Sequence, residues 1–136
     1  MTPSFHVCPI GWIRKTGQRD CIEIDPLFQA GLLGLAGFSH IQVCYWFHEH
    51  DNPDDRGRLR VHPRRNPANP LTGVFATRAP VRPNLIGLSV CRLLSVLGTT
   101  LHIDAIDARN GSPVIDIKGY IPERLNPSEV TVPDWV

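Results

Sequence analysis

Apolar and polar residues alternate along much of the chain. Ile22 and Ile24 flank Glu23; Ile41, Val43, Tyr45 and Phe47 alternate with Gln42, Cys44, Trp46 and His48; Leu101, Ile103 and Ala105 alternate with His102 and Asp104. Val114-Ile115-Asp116-Ile117 repeats the theme in shorter form. A period of two puts each apolar set on one face of a pleated strand, and the β-branched and aromatic content favours that conformation. The run from Ile86 to Leu97 also suits a helix through Val90, Leu93, Leu94 and Leu97, but Gly87 and two valines tip it to a strand. One helix start is marked: Asp25 caps and Pro26 takes the first helical position before Leu27-Phe28-Gln29-Ala30. Gly31, Gly34 and Gly37 then limit its length. Their GxxGxxG spacing, without a βαβ rhythm, excludes a dinucleotide-binding fold. The pattern predicts a mostly β protein: a small single-domain antiparallel β-barrel over residues 1–136, with one short helix and long loops.

At 136 residues the chain is expected to form one domain. Its 13 prolines, against about seven at average usage, leave little room for long helices. Fourteen Lys and Arg against 13 Asp and Glu exclude an indiscriminate polycation and an acidic tail alike. No apolar run is long enough for a membrane span, and the amino terminus lacks a secretory pattern, so a cytoplasmic location is expected. Cys8, Cys21, Cys44 and Cys91 contain no CxxC, and three or four of them are expected as buried, reduced thiols, with a disulfide frame or zinc site as the alternative.

Three stretches carry candidate chemistry. His48-Glu49-His50-Asp51 ends a predicted strand, where His48 and His50 would share a face; with no third ligand placed by the sequence, a ligand-pocket rim or plain surface competes with a metal, and no metal is expected. Residues 49–73 form a long irregular stretch in which Asp51, Asp54 and Asp55 precede Arg56, Arg58, Arg60, Arg64 and Arg65. It reads either as a phosphate-binding loop or as a solvated loop whose charges satisfy one another. Between Gly73 and Ser89, Arg78 and Arg82 each stand beside prolines. A stiffened backbone holds such guanidiniums for a planar anion or an aromatic base, unless they pair with Asp104 or Asp107.

The segments GFSHIQVCYWFH, GVFATRAPVRPNLIGLSV and IDARNGSPVIDIKGYIP, in this order from about Pro9 to Pro122, resemble the TsaA-like family of single-sheet barrel methyltransferases. Its TrmO-type members use S-adenosylmethionine to methylate N6 of threonylcarbamoyl-adenosine at position 37 of tRNA. The resemblance implies a homodimer with the cofactor pocket near the subunit interface, and a tRNA anticodon stem-loop as partner. It implies cofactor contacts at His48, Glu49, Arg78, Leu88 and the stretch Asp104, Ala105, Ile106 and Asp107. Arg64, Arg65 and Arg82 become substrate contacts, and Asn84, Lys118 and Tyr120 candidates to reach the base; no residue is selected as general base. Three features depart from the family pattern: Leu85 and Gly119 stand where prolines are usual, and the loop Lys15–Asp20 is short. Methyl transfer to a small molecule, and a non-enzymatic sensor of the same cofactor, are the alternatives.

Overall fold

The computed structural model describes residues 2–136 and divides into two compact units. The first holds the chain up to Glu49 together with Ile86–Tyr120; the second holds His50–Leu85 and Ile121–Val136.

The first unit is a closed antiparallel barrel. Its strands are β1 (Gly11–Lys15), β2 (Asp20–Ile24), β3 (His40–Trp46), β6 (Ile86–Leu97), β7 (Thr100–Ile103) and β8 (Pro113–Gly119), ordered β1-β2-β7-β6-β3-β8. Alternation decides which side chains point inward. Ile13, Ile22, Ile24, Ile41, Val43, Tyr45, Cys91, Leu93, Leu101, Ile103 and Val114 fill the interior, and Ile106 and Ala108 join them from the segment after β7. The ring closes between β1 and β8 with Gly11 opposite Val114 and Trp12 opposite Pro113, extended by Ile10 N–H to Val114 O at 2.8 Å and Ile13 N–H to Ser112 O at 2.9 Å. Closure leaves no unpaired sheet edge.

β6 is the longest strand, and a bulge between Leu93 and Ser95 reverses its facing. Its length fits a strand rather than a helix, as the valines and Gly87 indicated. Gly87 lies where a Cβ would stand 2.6 Å from the Tyr45 ring and 2.9 Å from that of Phe47, two rings packed edge to face at 5.5 Å. Gly119, one departure from the family pattern, is covered by Phe38, whose ring would lie 2.7 Å from an added Cβ. Leu85, the other, is fully buried.

The second unit holds a two-stranded sheet of β4 (Arg60–Val61) and β5 (Thr72–Gly73) and the α-helix α1 (Pro53–Gly57). Here the structure corrects the expectation of a wholly irregular 49–73. Asn52 caps α1 by accepting from Asp55 N–H at 2.8 Å, and Pro53 starts it. The predicted helix after Asp25 exists as a 3-10 helix, Pro26–Leu32, with Asp25 accepting from Leu27 N–H at 2.9 Å. None of its residues is fully buried, although Phe28 and Leu32 pack partly buried against the barrel core. From Ile121 onward the chain is largely exposed and extended, with a 3-10 turn at Pro127–Glu129 and a turn at Asp134-Trp135 closed by Val136 N–H to Pro133 O at 3.2 Å, where Trp135 is half-buried.

The cysteines also differ from expectation. All four are free, but only Cys91 is buried, while Cys8 is exposed and Cys21 and Cys44 are intermediate. Cys21 and Cys44 have outward register positions, which alternation of the strands dictates. Burial pushes the Cys91 thiol up to about 11.

Substituting Gly87→Ala is expected to cost about 1–3 kcal/mol, because Tyr45 is held in the core and cannot yield to the new methyl. Urea unfolding measures it; an unchanged midpoint would contradict the packing described.

Candidate functional site

The loop between β5 and β6 is fastened from within its own unit. Thr77 Oγ1 donates to Val74 O at 2.9 Å and accepts from Ala79 N–H at 3.2 Å. Arg82 turns back on the same turn: its Nη1 donates to Thr77 O at 3.2 Å and to Ala79 O at 2.9 Å. The loop's far end is held by Arg56, whose Nε donates to Pro83 O at 3.0 Å while its Nη1 meets Asp51 Oδ1 at 3.1 Å. Sequence reasoning placed Arg56 in a charged loop and missed this anchoring, although its position on a capped helix was readable from Asn52-Pro53. Arg78 sits at the centre of the fastened turn, exposed, with no hydrogen-bond or ion-pair partner among the described residues. Asn84 is exposed at the end of the same loop. Arg82, expected as a substrate contact, is half-buried and engaged with the backbone on both sides of Arg78.

Arg64 and Arg65 lie on a second closed loop. His62 Nδ1 meets Asn69 O at 2.8 Å, and Asn69 Nδ2 donates to Pro63 O at 2.9 Å, with Pro63 buried. The two arginines are consecutive left-handed residues, at φ 57° and 55°, which non-glycine residues adopt at a cost. Both side chains are exposed. Two of the three local aspartates are engaged elsewhere: Asp51 pairs with Arg56, and Asp55 meets His50 Nδ1 at 2.9 Å, a hydrogen bond that holds the Asp55 carboxyl below its ordinary value. No ion pair reaches Arg58, Arg60, Arg64 or Arg65 among the described residues. From residue 50 to 85, seven arginines face only three aspartates, so this stretch has a surplus of positive charge that the whole-chain balance conceals.

In the barrel unit, β3 ends at Trp46, and His48, Glu49 and His50 form a single 3-10 turn. His48 and His50 therefore do not share a strand face, which corrects the geometry expected for them. His48 and Glu49 are exposed. Among the described residues no group of three or more His, Cys, Asp or Glu side chains is arranged to hold a metal ion.

The segment after β7 is pinned at three points. Asp104 Oδ1 accepts from Arg92 N–H at 2.9 Å and from Ala105 N–H at 2.8 Å, across the β6 bulge. These amides hold the Asp104 carboxyl below the usual carboxylate range. Asp20 Oδ2 accepts from Ile106 N–H at 3.1 Å, and Lys15 Nζ donates to Ile106 O. The short loop after β1 thus serves to clamp this segment. Ile106 is itself in the core with both backbone groups taken, while Ala105 and Asp107 are exposed. Lys118 pairs with Asp116 at 3.2 Å rather than with Asp107. Tyr120 is part-exposed at 38%. Leu88 belongs to an outward apolar row: Ile86, Leu88, Val90 and Leu94 are exposed at 47%, 51%, 48% and 45%.

Fold and site together define a small all-β barrel protein whose ligand-competent groups lie on loops and on the outer wall, the interior being filled. The chain matches the model of the tRNA-methyltransferase O N-terminal domain over residues 4–124, which runs through both units. It belongs to that family. It is 47% identical over 123 residues to a protein of Pyrococcus horikoshii described as a probable S-adenosyl-L-methionine-binding protein, covering 90% of this chain and 87% of that one. It is 41% identical over 102 residues to a human tRNA (adenine(37)-N6)-methyltransferase, covering 75% of this chain and 22% of the human protein. The crystal structure of TrmO from P. aeruginosa superposes with a TM-score of 0.76 at 29% identity, over 99% of this chain and 63% of that one. This chain therefore spans less than two thirds of that structure's length. No helix among the described residues is long and apolar enough to cross a membrane.

Because the native Asp104 carboxyl titrates below its unfolded value, it contributes stability that is present above the unfolded value and lost as pH falls through the native one. Asp104→Asn is expected to flatten the acid limb of the stability profile, read by urea unfolding between neutral and acid pH. An unaltered limb would contradict the role given to those two amides.

Proposed function

We propose that this protein is an S-adenosylmethionine-dependent methyltransferase acting on N6 of adenosine 37 in tRNA, with the threonylcarbamoyl-modified base as substrate. The observation that carries the reading is Arg78: an unpartnered guanidinium held on a fastened loop, in a chain whose relatives are named for this cofactor or this reaction. The groups present fit the cofactor's chemistry. Within the second unit, taken by itself, the Arg78 guanidinium suits the cofactor's carboxylate; within the barrel unit, taken by itself, exposed Leu88 suits an apolar face and Asp104 and Asp107 suit ribose hydroxyls. His48, Glu49 and the Ala105 backbone remain candidates by family resemblance.

When bound, S-adenosylmethionine supplies an electrophilic methyl on sulfur. The chain's own work is alignment and exclusion of water. Arg78 orients the cofactor's charged end, and Asn84, Lys118 and Tyr120 are the groups proposed to meet the base. Arg64 and Arg65, exposed and in no ion pair among the described residues, meet phosphates of the anticodon stem-loop. The protein works in the cytoplasm, where its tRNA is. A second copy covers the apolar row on β6, where Ile86, Leu88 and Val90 are exposed on three alternate positions, with Leu94 beyond Arg92. A second reading, cofactor binding without transfer, is favoured by the printed description of the P. horikoshii relative, of which this chain covers the larger share.

Incubation with methyl-labelled S-adenosylmethionine and tRNA carrying threonylcarbamoyl-adenosine should put label on N6 of residue 37. Tight cofactor binding with no labelled tRNA would favour the second reading. Reversing charge at Arg64 and Arg65 should weaken tRNA binding and reduce the slope of log affinity against log salt by roughly one per lost phosphate contact; an unchanged slope removes that loop from the interface. Leu88→Glu should convert a dimer to a monomer in sedimentation velocity, and a variant that sediments like the parent would contradict the β6 interface.

A further inference from the structure

We infer that Arg82 is a positioning residue for Arg78, acting on the cofactor through it rather than touching ligand. Arg82 is four residues downstream, yet its Nη1 donates to the carbonyls of Thr77 and Ala79, the residues immediately before and after Arg78. One charged nitrogen therefore bridges both sides of the turn that displays the other guanidinium. The positive charge strengthens both bonds relative to neutral donors. Thr77 locks the same turn from beneath, through Val74 and Ala79. Val81, between the two arginines, is buried and fixes the backbone that returns Arg82 to the turn. Pro80 and Pro83 restrict the chain on either side of Val81 and Arg82.

The consequence is energetic. An exposed arginine has many rotamers and a mobile backbone to lose on binding an anion, and a preformed turn removes the backbone share of that loss beforehand. Arg82 supplies this preorganisation. A lysine at 82 would retain the charge but lacks the planar fork, so it holds the turn less rigidly.

The inference rests on Arg78 contacting the cofactor, and a double-mutant cycle separates the two claims. S-adenosylhomocysteine is titrated calorimetrically into the wild type, Arg78→Ala, Arg82→Met and the double variant, with thermal unfolding of each as a check. Arg82→Met is expected to weaken binding by about fivefold to tenfold in the wild-type background and by far less once Arg78 is gone. Arg82→Lys is expected between wild type and Arg82→Met, and replaces it in the cycle should the methionine variant not fold. If Arg78→Ala binds like wild type, the cofactor assignment of Arg78 fails and this inference with it. If Arg78→Ala weakens binding but the Arg82 effect is absent, or equally large without Arg78, Arg82 is a general structural residue or a direct contact and the positioning role is overturned.

Discussion

Closure of the barrel is the constraint from which the rest follows. Six strands, none stable in isolation, become a stable unit only when β1 and β8 meet and the inward positions are mostly apolar. The interior is then occupied by a core of mainly isoleucine, leucine and valine, joined by Tyr45, Cys91 and Ala108. Any chemistry must be carried outside, on loops or on the outer wall. Polar groups near the barrel rim accordingly do structural work: Asp104 satisfies two amides at the β6 bulge, and Lys15 and Asp20 clamp the segment that delivers Ile106 to the core.

The loops solve a problem the barrel does not have. Without a sheet to fix them, they are fastened by side chains reaching back to the backbone: Arg82 and Thr77 around Arg78, Arg56 at Pro83, Asn69 and His62 around Arg64 and Arg65. In each case a polar side chain saturates a backbone carbonyl that would otherwise need water, and Arg78, Arg64 and Arg65 show no ion pair among the described residues. Seven arginines against three aspartates between residues 50 and 85 give a nearly neutral chain one locally positive stretch.

Much of the barrel was legible because a half-buried strand writes its orientation at every second residue. The alternation in 41–47, 101–103 and 114–117, and the strand assignment of Ile86–Leu97, all reflect that period. Elements without a buried face were not legible in the same way. Asp25-Pro26 announced a helix correctly, but no local signal recorded that it would take 3-10 geometry. The capped helix at Pro53 was written in Asn52-Pro53 and passed over among charges. For the site, residue type and proline context singled out the 78–84 loop, whereas the division of labour between Arg78 and Arg82 depends on where one guanidinium points. Sequence gives the charge of a side chain and not its direction. The same limit explains His48 and His50: their spacing implied a shared face only while the strand was assumed to continue past Trp46.

The central claim is that a fastened, unpartnered arginine on the 78–84 loop receives the cofactor's charged end. A crystal structure of the complex with S-adenosylmethionine tests it most directly. The account predicts the cofactor carboxylate in hydrogen-bond reach of the Arg78 guanidinium, with the Thr77–Ala79 turn unchanged and Arg82 still on its two carbonyls. A cofactor bound elsewhere, with no atom in reach of Arg78, would contradict it.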